Sequence, residues 1–186
     1  MVPLAALWLP ILLSAVIVFV ASSIINLAAP WHKNDYQRVP DEDSLRAALR
    51  PLAIPPGSYL VPRAHGREEM RAPSFIARVN EGPNLLLTVL PNGPWSTAQS
   101  LVQWFVYLVL IAIFAAYVTG RALPPGTDYL QVFRFVGTTA FLGLTVALWQ
   151  MSIWYRRPWS MSVKATVDGL IYALLLGGTF GWLWPR

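Results

Sequence analysis

Four stretches of this chain, residues 4–27, 98–119, 129–154 and 161–182, are apolar over twenty residues or more. A helix of about 20 residues crosses the ~30 Å hydrocarbon core of a bilayer, so each stretch is long enough to span. Backbone groups in hydrocarbon have no water to bond, and a helix satisfies them internally. The pattern predicts a membrane all-α fold of four transmembrane helices, with a small α+β extramembrane insertion between the first and the second. Of the 186 residues, 55% are hydrophobic and 12% charged, with a mean hydropathy of +0.48. A soluble domain carries about 25% charged residues. Most of the nine Trp stand at the ends of the apolar runs, where amphipathic rings mark a membrane interface.

The runs divide the chain into a first transmembrane helix (1–29), an extramembrane segment (30–97) and a three-helix transmembrane region (98–186). The first run is too long for a signal-peptide core and has no Lys or Arg ahead of it, which predicts a retained anchor. Pro10 falls near its first turns, Ser22, Ser23 and Asn26 make its far end polar, and Pro30 and Trp31 close it.

Residues 30–97 hold eight of the 14 basic residues, seven of the nine acids, both His and ten of the 16 Pro, so they do not span. Asp41-Glu42-Asp43-Ser44 opens a helix that Arg46 and Arg50 suit at its end and Pro51 stops. Tyr59-Leu60-Val61 and residues 85–90 read as strands, and residues 73–80 as a helix ended by Gly82-Pro83. So small a unit has little core of its own. It is expected to pack on the ends of the helices or on another protein.

Orientation rests on the turn Tyr155-Arg156-Arg157-Pro158-Trp159-Ser160, with Lys164 just beyond. Short basic loops stay on the cytoplasmic side, and with four spans residues 30–97 share that side. The net charge of +5 then reflects this bias. The basic residues are interleaved with acids and lack a clustered basic helix, which argues against nucleic acid as a partner.

The chain resembles a group of bacterial four-span inner-membrane proteins without an assigned function. The resemblance rests on Pro30-Trp31-His32-Lys33-Asn34-Asp35-Tyr36, on Gly82-Pro83 with Leu87-Thr88-Val89-Leu90-Pro91-Asn92-Gly93-Pro94, on Asp168-Gly169-Leu170-Ile171-Tyr172, and on Thr179-Phe180-Gly181-Trp182-Leu183-Trp184-Pro185. It implies a bacterial source and a multi-pass inner-membrane protein, and it brings no activity with it.

Among residues able to carry chemistry, Asp168 stands out, because an acid inside a span is costly. It falls about two turns into the fourth run, and Gln103 and Gln150 are expected at a similar depth on neighbouring helices, a candidate polar site. The plainer reading pairs Asp168 with Lys164, four residues earlier on one helix face, or with Arg156 or Arg157. Arg134 is a candidate contact for a lipid headgroup or an anion. It falls near the opposite face from Asp168, which argues against a salt bridge between them. Gly177 with Gly181, and Thr139 with Gly143, are small-residue faces suited to close helix packing, within the protein or in a homo-oligomer.

His32 and Asp35 are three apart and His65 stands alone. A catalytic zinc needs three protein ligands, which these do not assemble in sequence, so an interfacial collar of Trp31, His32, Lys33 and Tyr36 is the favoured reading. With no Cys, disulfides and zinc-thiolate sites are excluded. A nucleophile elbow, a P-loop and a dinucleotide fingerprint are absent. The expected function is therefore non-enzymatic and without a cofactor: an accessory or scaffold subunit in the lipid bilayer, docking a protein partner through residues 30–97. A small permease or channel using Asp168 is the alternative, although neither a repeat nor a broken helix is visible in the sequence.

Overall fold

The computed structural model describes residues 1–28 and 30–186, and it divides into two compact units, Met1–Tyr36 with Ser96–Arg186, and Gln37–Trp95. The first holds four helices long and apolar enough to cross a membrane: Leu4–Ala28, Thr97–Ala122, Tyr129–Ile153 and Trp159–Trp182. Leu4–Leu7 is a 3-10 turn that leads into α1, Trp8–Ala28. The others are α5 (Thr97–Ala122), α6 (Tyr129–Leu144) continued by α7 (Trp149–Ile153), and α8 (Trp159–Trp182). Consecutive helices adjoin and α8 returns to α1, which closes a ring of four.

Each helix turns one stripe inward at helical spacing. α1 and its leading turn bury Leu7, Ile11, Ala15 and Val18; α5 buries Leu108, Ala112, Ala115 and Ala116. α6 buries Val132, Val136, Ala140 and Leu144, and α8 buries Tyr172, Ala173, Leu176 and Phe180. The outward faces are apolar too, as at Leu12, Val16, Val20 and Ile24 on α1. A helix apolar on every side has no face for water.

Contacts at the two ends fix the relative topology. At one end Val2 donates to the Gly120 carbonyl at 2.8 Å, Gly126 to that of Pro185 at 2.9 Å, and the Trp184 indole to that of Pro124 at 3.0 Å. Both ends of the chain and the 123–128 loop therefore meet there. At the other end lie the close of α1 and the 154–158 turn.

The third run was expected as one helix, and the structure interrupts it. α6 stops at Leu144, Thr145 leaves helical geometry (φ −128°, ψ −49°), and Val146–Leu148 is a 3-10 turn before α7. The break faces Gly169 on α8. A Cβ at Gly169 would sit 2.1 Å from Thr145 Cγ2, so the Thr145 methyl packs into the space that the glycine leaves. Thr145 donates its hydroxyl to the Phe141 carbonyl at 2.7 Å, and Tyr107 donates to the Gly143 carbonyl at 2.9 Å, which satisfies groups near the break.

The second unit contains α2 (Glu42–Leu49), α3 (Arg67–Arg71) and α4 (Pro73–Glu81) with strands β1 (Gly57–Val61) and β2 (Leu85–Val89). The strands pair antiparallel, with Tyr59 opposite Leu87 and Leu60 opposite Leu86. Asp41 caps α2 by accepting from the Ser44 amide at 3.0 Å, and Pro73 opens α4 at a position where no amide proton is needed. No residue of 37–95 is buried.

Candidate functional site

The polar end of α1 sets the site up. Asn26 donates to the Ser22 carbonyl at 2.8 Å, and the Ser22 hydroxyl accepts the Trp104 indole N–H at 2.9 Å, tying α1 to α5. Pro30–His32 then makes a 3-10 turn, and the chain runs on to Tyr36 before the second unit begins. The compact unit of the long helices thus takes in residues 30–36.

What holds residues 30–36 is a ladder of four charged side chains. Lys164 Nζ donates to Asp35 Oδ1 at 2.6 Å and also to the Trp31 carbonyl. Asp35 Oδ2 lies 2.8 Å from His32 Nδ1, and His32 Nε2 lies 2.8 Å from Asp168 Oδ2. Lys164 and Asp168 are one turn apart on α8, as their spacing requires, but the expected pair between them does not form. Each reaches a different residue of 30–36, and the inserted imidazole offers a donor to both carboxylates. Arg156 and Arg157 form no ion pair among the described residues.

The geometry favours a charged His32. A neutral imidazole has one N–H and one lone pair, and a lone pair facing a carboxylate oxygen at 2.8 Å is repulsive. Carboxylates at both nitrogens are satisfied when both carry protons, which favours the imidazolium form of His32. Burial works against that charge, yet the hydrogen bonds and fields of Asp35 and Asp168 outweigh it and hold the imidazole above its ordinary range. The bonds from Lys164 and then His32 hold the Asp35 carboxyl below its ordinary value. Charges alternate along the ladder and sum to zero. Asp168 is 6% exposed, and its Oδ1 accepts no hydrogen bond among the described residues.

Gln103 and Gln150 do not join Asp168; both are exposed, on α5 and α7. The Trp149 indole does reach α8, donating to Thr166 at 2.9 Å, and Ser152 bonds Ser162 at 2.6 Å. Arg134 is exposed on α6 and in no ion pair among the described residues. Gly177 and Gly181 lie against α6: a Cβ at Gly177 would be 2.9 Å from the Phe133 carbonyl, and one at Gly181 would be 2.7 Å from the Tyr129 ring. Gly143 faces α5, where an added Cβ would be 2.8 Å from Ile111, while Thr139 donates back to Phe135. Of the expected collar, Trp31, Lys33 and Tyr36 are exposed, whereas His32 turns inward. His65 lies in the second unit, where its amide donates to Glu69 at 2.7 Å.

The described residues contain no cluster of His, Asp and Glu arranged to hold a metal. The ladder shows why: both nitrogens of His32 are already committed to carboxylates. A groove of about 340 Å³ between Val2, Leu4, Tyr117 and Arg121 lies at the opposite end of the bundle and does not touch the ladder. The site is thus a charge-balanced staple. It fixes the segment that leads into Gln37–Trp95 onto α8.

Comparison of the chain with protein-family models, with curated protein sequences and with solved structures returns no match.

Proposed function

We propose that this is a non-enzymatic, multi-pass membrane protein that serves as an accessory or scaffold subunit, with Gln37–Trp95 as its docking unit for a separate protein. The four apolar helices anchor it, and the ladder holds the root of the docking unit. The bacterial inner membrane is the setting that the resemblance implies, and the basic turn at Arg156 and Arg157 favours residues 37–95 in the cytoplasm.

The observation that carries this reading is the want of a core in 37–95. None of its residues is buried, while Leu45, Leu52, Ile76 and the cross-strand pair Leu60 and Leu86 (54% and 53%) stand exposed. Leu60 and Leu86 share one face of a sheet of two strands. Two strands with an uncovered apolar face are marginal in water. A partner that presents an apolar surface would cover them, and a further strand could add to an open edge of the sheet.

Native mass analysis of the gently extracted protein tests this. A protein partner should add a discrete mass that Leu60→Glu with Leu86→Glu removes, while the four helices stay inserted. A mass of one chain with lipid only, or of two identical chains, in the unsubstituted protein contradicts it.

One observation favours a permease as the second reading. The third apolar helix breaks at Thr145 against Gly169, the neighbour of buried Asp168. Interrupted helices line substrate sites in many transporters. Solute flux into vesicles holding the purified protein, abolished by Asp168→Asn with assembly intact, would favour that reading over docking.

A further inference from the structure

We propose that His32, clamped between Asp35 and Asp168, is a proton-binding site that latches residues 30–36 onto α8, and that loss of its proton releases them. The groups facing it are few. From its own segment come Asp35 and the Trp31 ring, whose centroid is 6.1 Å away edge-on. α8 presents Asp168 directly, Lys164 through Asp35, and Tyr172 within the field of Asp168. α1 holds no charged side chain.

With the proton bound, positive and negative groups alternate from Lys164 to Asp168, and both bonds of the imidazole are charge-assisted. Without it, one carboxylate meets a lone pair and the cluster carries an uncompensated negative charge. Among the described residues no second donor reaches Asp168, since its Oδ1 is unpartnered and Lys164 is spent on Asp35 and the Trp31 carbonyl. A buried ion left without its partner is strongly unfavourable, so the cheaper outcome is withdrawal of the segment into solvent. The apolar stripe beyond, through Leu176 and Phe180, holds no titratable group to carry the proton across the bundle.

The sign of the linkage follows from the direction of the shift. His32 is raised in the folded state, so its contribution is complete below its ordinary value of about 6.5 and is lost as pH rises through the raised value. Asp35 is lowered, so its contribution is present above the ordinary carboxylate range and is lost as pH falls through the depressed value. The latch is closed between these limits and opens on the alkaline side. Its consequence for docking rests on the reading of the preceding section: an open latch lengthens the tether of Gln37–Trp95 by residues 30–36.

The experiment follows the imidazole and the segment together in the intact protein in micelles, without any partner. His65→Gln leaves His32 as the single histidine, and its ring signals are titrated by NMR while amide exchange is read over residues 30–36. The expected midpoint lies above about 6.5, amide protection is lost at that same midpoint, and Asp168→Asn lowers both together by about one pH unit or more. His32→Gln, which cannot take up the proton, should remove the pH dependence of exchange. A midpoint that Asp168→Asn does not move, or protection that ignores the titration of His32, overturns the latch. Neither readout involves a partner, so the docking reading can fail while the latch stands, and the reverse.

Discussion

The imidazole of His32 donates from Nε2 to Asp168 Oδ2 at 2.8 Å, joining the turn after the first apolar helix to the interior face of the fourth across 136 positions of sequence. Both side chains are largely out of water, so the pair couples two segments that the chain itself keeps far apart.

That coupling should be measurable. Removing one member of a buried ion pair costs about 3–5 kcal/mol, because the other charge stays buried. His32→Ala and Asp168→Ala should each cost something of this order in denaturant unfolding from micelles. The double variant should lose less than the sum by about 0.5–3 kcal/mol. Asp168→Asn, which keeps an acceptor for Nε2, should be the mildest of the set. Additive losses would mean that the two residues act independently.

A second prediction concerns the break in the third helix. Gly169→Ala places a methyl 2.1 Å from Thr145 Cγ2, a contact that forces the Thr145 side chain or the helices to move. Overpacking of this kind costs about 1–3 kcal/mol. Thr145→Ser removes the offending methyl and keeps the hydroxyl that bonds Phe141, so it should restore much of the lost stability. If Thr145→Ser adds its own loss to that of Gly169→Ala, the close approach is not what sets the break.

A third prediction is topological. The chain has no Cys, so single cysteines report without background. Cysteines at Ser58 and Ser160 should be shielded from an impermeant thiol reagent in whole cells, and one at Thr127 should react. Labelling in the reverse order would invert the orientation inferred from Arg156 and Arg157.

The four long helices are legible in the sequence because a span needs one continuous apolar run, and little else produces one. The small elements of residues 37–95 are legible for a different reason: Asp41, Pro51, Pro73 and Gly82 punctuate them. The break at Thr145 carries no such mark. Thr in an apolar run is ordinary, and the interruption coincides with a tertiary contact to Gly169 that local sequence does not show. The site is half legible. Asp168, Lys164, His32 and Asp35 each stand out as charges in costly or spaced positions, and the four-span topology puts them at one end. Local spacing favours Lys164 with Asp168, however, and it misleads because an inserted imidazole satisfies two carboxylates at once. Gln103 and Gln150 mislead similarly: depth along a helix is readable, but the side of the helix they occupy is set by packing.

The central claim is that Gln37–Trp95 depends on a partner protein to cover its apolar residues. Amide exchange of β1 and β2, Gly57–Val61 and Leu85–Val89, tests it most directly in the intact chain. It is compared between protein extracted gently with its associated subunits and the same protein stripped of them. With no residue of the unit buried, the strand amides should be protected in the first sample and exchange at close to the open-chain rate in the second, while those of α1, α5 and α8 stay protected in both. Strand amides equally protected in the stripped chain would contradict the claim, and would make 37–95 a self-sufficient unit.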